Sequence, residues 1–151
     1  MLVVSQFVAL FSLVAALVGV RPSASPQSGV PRDARAVPRI SQEQFSKLHA
    51  TNDVLVVDVR PAMVFDVSHI PGAISVPIAE VERQADTLIR KAARRPIVTY
   101  CSCVAEHTAA EAALQLLHRG ATNVSALAGG YPEWLARRGY LSAAASLARN
   151  L

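Results

Sequence analysis

Cys101 and Cys103 are the only two cysteines in the chain, and a single residue separates them. Placed so close, they cannot staple distant parts of a fold, so a disulfide framework is excluded. A reactive thiol, a local redox pair or part of a soft-metal site remain open. The loop Cys101-Ser102-Cys103-Val104-Ala105-Glu106-His107 leads from an apolar run ending at Tyr100 to an amphipathic run starting near Thr108. A loop that curls around a sulfur and then enters a helix aims backbone N–H groups at it, and the helix dipole adds positive potential. Both favour thiolate over thiol, and both suit a persulfide anion or an oxyanion. Cys101 directly ends the apolar run, so the curl should close over its sulfur and turn the Cys103 side chain away. Cys101 is therefore expected to be the more acidic thiol, its pKa lowered from about 8.5 toward 7 or below. A buried structural cysteine at a strand end fits the same residues.

The elements that must hold this loop are readable from periodicity. Ser41-Gln42-Glu43-Gln44 is a capping-box pattern and predicts a helix over residues 41–49, with Phe45 and Leu48 on one face. Residues 54–59 are mostly β-branched and read as a strand buried on both faces, which implies a parallel sheet covered by helices. Further strands are expected over 73–76, 96–100 and 124–127. Between them lie two helical patterns. One over 78–90 carries Ile78, Val81, Ala85, Leu88 and Ile89 on one stripe. The other, over 108–119, has an inner face of Ala109, Ala112, Ala113, Leu116 and Leu117 and Gly120 as its C-cap. A last short helix carries Trp134 and Leu135. Strands alternating with helices argue for a doubly wound α/β fold, in which ligands bind beyond the carboxyl ends of the strands. Cys101 sits at such an end.

Four motifs then occur in one order. They are Asp58-Val59-Arg60 at a strand end, Ser68-His69-Ile70-Pro71-Gly72-Ala73 at a turn, Tyr100-Cys101 at the loop, and Leu127-Ala128-Gly129-Gly130 followed by Trp134. Together they resemble the rhodanese family. The resemblance implies a domain over 40–141, a five-stranded parallel sheet with helices on both faces, and sulfur transfer through a persulfide on the loop cysteine, Cys101. It implies a small sulfane-sulfur donor and a thiol acceptor as partners, or a protein partner for a module of weak activity. Neither a cofactor nor a metal is expected.

Several residues depart from the family pattern. The loop has Val104 where the family commonly has Gly, and it contains no Arg to pair with an anionic donor such as thiosulfate. It holds Glu106 instead; a carboxylate about 6 Å from the sulfur would oppose the thiolate by up to roughly 3 kcal/mol at an effective dielectric near 20. Thiosulfate is thus expected to bind poorly, and Glu106→Gln to improve it. The Cys-Ser-Cys-x-x-Glu loop resembles a rhodanese subgroup often joined to membrane segments. Asp58, Arg60 and His69 are read as scaffold residues, with Asp66 the nearest partner for Arg60. His107 could assist the thiolate if protonated, or could simply be a solvated helix-start residue. Cys101, Cys103 and His107 could together hold a soft metal, but no fourth ligand stands nearby. A phosphatase or arsenate reductase is disfavoured, because His107 stands where a bidentate Arg would grip the oxyanion.

The flanks are of a different kind. Residues 2–20 form an uncharged apolar run long enough to span a bilayer, so residues 1–20 are read as a transmembrane anchor or a signal peptide. Pro26 after Ser23-Ala24-Ser25 is poorly placed for cleavage, which favours a membrane anchor over export. Residues 21–39 read as an extended Pro/Ser/Arg-rich linker, and 142–151 as an Ala-rich tail. The net charge is +4, but the arginines are scattered and no aromatics interleave with them, so nucleic-acid binding is not expected.

Overall fold

The computed structural model describes residues 29–138. The apolar run 2–20, the start of the linker and the Ala-rich tail lie outside the described residues. Among those described, no helix is long and apolar enough to cross a membrane.

Five strands form one sheet. They are β1 (Arg39–Ile40), β2 (Leu55–Asp58), β3 (Ile74–Ser75), β4 (Ile97–Tyr100) and β5 (Val124–Leu127), in the order β1-β5-β4-β2-β3. Every pairing is parallel. The chain is α/β, as its sequence predicts. β2 and β4 are buried along their whole length, because helices cover both faces of the sheet. Side chains alternate across the sheet. Leu55, Val57 and Val59 join a core formed with α3 (Ile78–Ala92) and α4 (His107–His118). Val54, Val56, Val98 and Tyr100 join a second core, closed by Phe45 of α1 (Gln42–Ala50) and by Tyr131 and Trp134 of a helical segment over 130–138.

The strongly periodic segments behave as expected. The capping box of α1 is present, with Ser41 Oγ accepting from the Gln44 N–H at 3.2 Å and Gln44 Oε1 accepting from the Ser41 N–H at 3.2 Å. In α4 the alanines at 109, 110, 112 and 113 have no exposed surface. Their small size lets the helix lie close on the sheet, and Thr99 Oγ1 donates to the Ala109 carbonyl at 2.8 Å.

Three features differ from the sequence reading. The linker does not run as far as residue 39. Asp33 caps a 3-10 turn at Ala34–Ala36, Val37 is buried, and Arg39 begins β1. Regular structure thus begins inside the segment read as linker. The edge strand β1 is too short to show alternation, so the four strands read from periodicity become five only in three dimensions. A further helix, α2 (Ala62–Val67), follows Pro61, and none of its side chains is buried, so it leaves no amphipathic signature.

Candidate active site

The site is assembled where β4 gives way to α4. Cys101 follows Tyr100 directly and is 3% exposed. The loop is held from both ends. Glu106 N–H donates to the Cys103 carbonyl at 3.1 Å, and the Ala110 N–H donates to the Glu106 carbonyl at 2.8 Å, which opens α4. Across the fold, the Tyr131 N–H donates to the Cys101 carbonyl at 2.9 Å. This contact explains the Gly129-Gly130 pair. A Cβ on Gly130 would stand 2.5 Å from the Cys101 carbonyl oxygen, and its φ is +53°. Gln42, buried at the start of α1, donates to the Ala128 carbonyl at 2.7 Å and to the Gly130 carbonyl at 3.1 Å, fixing that turn. The role of Gln42 is not visible in the sequence, since a polar residue in the first turn of a helix ordinarily faces solvent.

Beneath the loop lies a buried polar cluster. Asp58 accepts from Arg60 Nε at 2.9 and 3.0 Å, from an Arg60 terminal nitrogen at 2.6 Å, and from the Tyr100 hydroxyl at 2.6 Å. Arg60 also donates to the Ser68 carbonyl at 2.7 Å and stacks 4.2 Å from the Tyr131 ring centre. The Tyr100 hydroxyl accepts from the Ile70 N–H at 3.1 Å. Burial, and then the Asp58 hydrogen bond, hold the Tyr100 phenol well above its usual range. Burial works against the Arg60 charge, but Asp58 outweighs it and raises the pKa further. The partner of Arg60 is therefore Asp58 two residues back, and not Asp66. The sequence reading missed this because neighbours at i and i+2 in a regular strand point the same way only if the strand continues, and β2 ends at Asp58. His69 stacks on Phe65 at 3.8 Å and has Nδ1 2.8 Å from the Phe65 carbonyl, which makes it part of the 65–70 turn.

A pocket of about 250 Å³ opens over the sulfurs. Cys101, Ser102 and Cys103 line it together with Val59, Val64 and Thr108. Arg60 is its sole cationic lining residue, and that guanidinium is already paired with Asp58. Val104 is 76% exposed, and neither it nor Ala105 lines this pocket. The His107 side chain is exposed too and lines a different hollow with Arg35, Arg39 and Glu111, so its imidazole does not assist the sulfur.

Glu106 corrects an expectation. Its Oε1 accepts from the Gly129 N–H at 2.5 Å and its Oε2 lies 3.6 Å from Arg39 Nε. The carboxylate therefore ties the loop to the β5 turn and to β1. Glu106 holds its left-handed φ of +50° under the same restraint. Glu106→Gln keeps an acceptor for Gly129 and loses only a partly exposed ion pair. It should leave donor affinity unchanged and cost at most about 1 kcal/mol. Glu106→Ala strands the Gly129 N–H and should cost about 1–3 kcal/mol. Denaturant unfolding of both variants checks the order.

The two thiols also depart from expectation. Burial pushes the Cys101 thiol up to about 11, and the neighbouring Cys103 thiol adds to the rise. Cys103 moves the other way. Burial opposes the shift, but the Cys101 thiol, the Thr108 N–H and hydroxyl, and the His107 N–H together lower its pKa. The amides of His107 and Thr108 act on Cys103, whereas that of Ala109 acts on Cys101 and does not outweigh its burial. Cys101 Sγ lies deeper and faces an acceptor, the Cys103 carbonyl oxygen, at 3.7 Å. Near neutral pH, Cys103 should therefore alkylate ahead of Cys101, and the difference should narrow as the pH rises. Peptide mapping after alkylation at stepped pH measures the order, and Cys101 reacting first at pH 7 would contradict it.

Residues 41–137 match the model of the Rhodanese-like domain family. This chain belongs to that family. The rhodanese-like domain is 38% identical over 85 residues to the HTH-type transcriptional regulator Rv0324 of Mycobacterium tuberculosis, covering 56% of this chain and 34% of the regulator. It is 35% identical over 57 residues to the Bacillus subtilis "Putative sulfur carrier protein YrkF", covering 37% of this chain and 31% of that one. The chain thus spans about a third of each of these relatives. The human single-domain sulfurtransferase TSTD1 superposes with a TM-score of 0.55 at 24% identity, over 65% of this chain and 95% of that one, and so shares the rhodanese fold.

Proposed function

We propose that this rhodanese-like domain is a sulfurtransferase or sulfur carrier in which Cys101 takes sulfane sulfur from a small donor, holds it as a persulfide and passes it to a thiol. The observation that carries this reading is the position of Cys101. It ends the central strand β4 at the carboxyl edge of the sheet, in the family's Tyr-Cys position, and lines a pocket at the mouth of a closed backbone loop. The family match and the sulfur-carrier relative support the same reaction. A thiol held near 11 is a weak nucleophile at neutral pH. The attack therefore draws on the small thiolate fraction of Cys101, which grows as the pH rises.

The pocket also shapes the choice of donor. Its one cation is neutralised by Asp58, and Val59, Val64 and Ile78 are apolar walls. A dianion such as thiosulfate gains nothing there, whereas an organic persulfide is accommodated. Comparing sulfur transfer to a thiol from the two donors tests the reading. The organic persulfide should be favoured by about tenfold or more in kcat/KM, a difference of about 1.4 kcal/mol. No transfer from either donor would overturn the proposal.

A further inference from the structure

A second thiol shares the Cys101 pocket. Cys103 lines the same 250 Å³ space, one residue away, and Cys101 Sγ already lies 3.7 Å from the Cys103 carbonyl oxygen. Residues two apart have Cα atoms within about 7 Å of each other, and less where the chain bends. It bends here at Ser102. A disulfide needs a Cα separation of about 4.4–6.8 Å, so the two sulfurs can be joined by a local change in the loop.

We infer that Cys103 is a resolving thiol, and that the loaded domain releases its sulfur as hydrosulfide while closing a Cys101–Cys103 disulfide. The inference rests on Cys101 carrying the persulfide. Once its proton has passed to solvent, the Cys103 thiolate attacks Cys101 Sγ. An Sγ–Sγ bond forms, and the bond from Cys101 Sγ to the outer sulfur breaks. The outer sulfur leaves with the electron pair and its own proton as HS⁻. The sulfane sulfur is thereby reduced to sulfide, and the two cysteines are oxidised to a disulfide. Two electrons and two protons from an external dithiol, itself oxidised to a disulfide, restore the starting state. The class of reductant is thus a dithiol, and the net result of this route is reduction of sulfane sulfur to sulfide.

The surroundings of the two sulfurs let this route compete with the direct hand-on of sulfur to an external thiol. Attack on the outer sulfur would have to expel Cys101 as thiolate, and burial makes that a basic, poor leaving group. Attack on the inner sulfur expels hydrosulfide instead. The N–H groups of His107 and Thr108 lower the pKa of Cys103 and so favour the anionic form that attacks. A ring closed over one intervening residue is strained, and strained disulfides are the readily reduced ones, so an external dithiol can reopen it.

The test uses the full-length chain, reduced, loaded with an organic persulfide and freed of excess donor without oxygen. The wild type should release about one sulfide per loaded chain with no added thiol, and its Cys101–Cys103 peptide should become two hydrogens lighter than the reduced peptide. Cys103→Ser and Cys103→Ala should keep the extra sulfur on Cys101 and release it at least about tenfold more slowly, a barrier difference of about 1.4 kcal/mol. Adding dithiothreitol to the spent wild type should restore loading. A wild type that holds its persulfide as long as the variants overturns the role of Cys103 alone. Sulfide release by the variants at the wild-type rate does the same. Folded Cys103 variants that never take up sulfur overturn the Cys101 reading along with it.

Discussion

Cys101→Ser should lose sulfur transfer by on the order of 10³-fold or more, the scale seen when a covalent nucleophile is removed. The fold should survive. Serine is slightly smaller, and its hydroxyl can donate to the Cys103 carbonyl oxygen that the thiol now faces at 3.7 Å. The loop is held by contacts that do not involve the sulfur, chiefly the Tyr131 N–H on the Cys101 carbonyl and Glu106 on the Gly129 N–H. A transfer assay read beside the thermal unfolding curve separates the two effects. Transfer within tenfold of wild type in a folded Cys101→Ser protein would mean that Cys103 receives the donor's sulfur.

The second large effect falls on stability. Asp58 has no exposed surface, and its carboxylate satisfies both the Arg60 guanidinium and the Tyr100 hydroxyl. Asp58→Ala leaves a buried guanidinium uncompensated and the phenol without its acceptor. Removing one partner of a buried pair costs about 3–5 kcal/mol. For a domain of this size that lowers Tm by on the order of 15 °C. Asp58→Asn keeps an acceptor and should fall between the variant and the wild type. The effect reaches the site as well, because Tyr100 and Tyr131, which flank Arg60, sit directly against Cys101 in sequence and through the Tyr131 N–H. A loss of less than about 1 kcal/mol in Asp58→Ala would show that the cluster is not structural.

Periodicity made much of this fold legible. The stripe of α3 and the alanine face of α4 each recur at helical spacing over three or more turns; the α4 face is buried as expected, and in α3 Val81, Ala85 and Leu88 are buried while Ile78 and Ile89 are partly so. The capping box placed the start of α1 to within one residue, Ser41 being its N-cap. The misses share one cause, which is that short or solvent-facing elements have no period to read. β1 is two residues long, and the six residues of α2 bury nothing. The 3-10 turn of Ala34–Ala36 stands in a segment whose prolines and arginines read as linker. The site was legible at the level of position but not of electrostatics. Tyr100-Cys101 and Gly129-Gly130 mark the loop in the sequence. The order of thiol acidities depends on which sulfur the amides of His107 and Thr108 reach, and spacing alone does not show that. Glu106 was likewise assigned by its distance along the chain, whereas its carboxylate turns toward Gly129, 23 residues further on.

Mass spectrometry of the Cys103→Ser protein after treatment with an organic persulfide tests the account most directly, because that variant retains whatever it accepts. One extra sulfur atom on the peptide containing Cys101, absent from the same peptide of Cys101→Ser and discharged by an added thiol with formation of that thiol's persulfide, is the result predicted. A folded Cys103→Ser protein whose Cys101 peptide keeps its unmodified mass would contradict it.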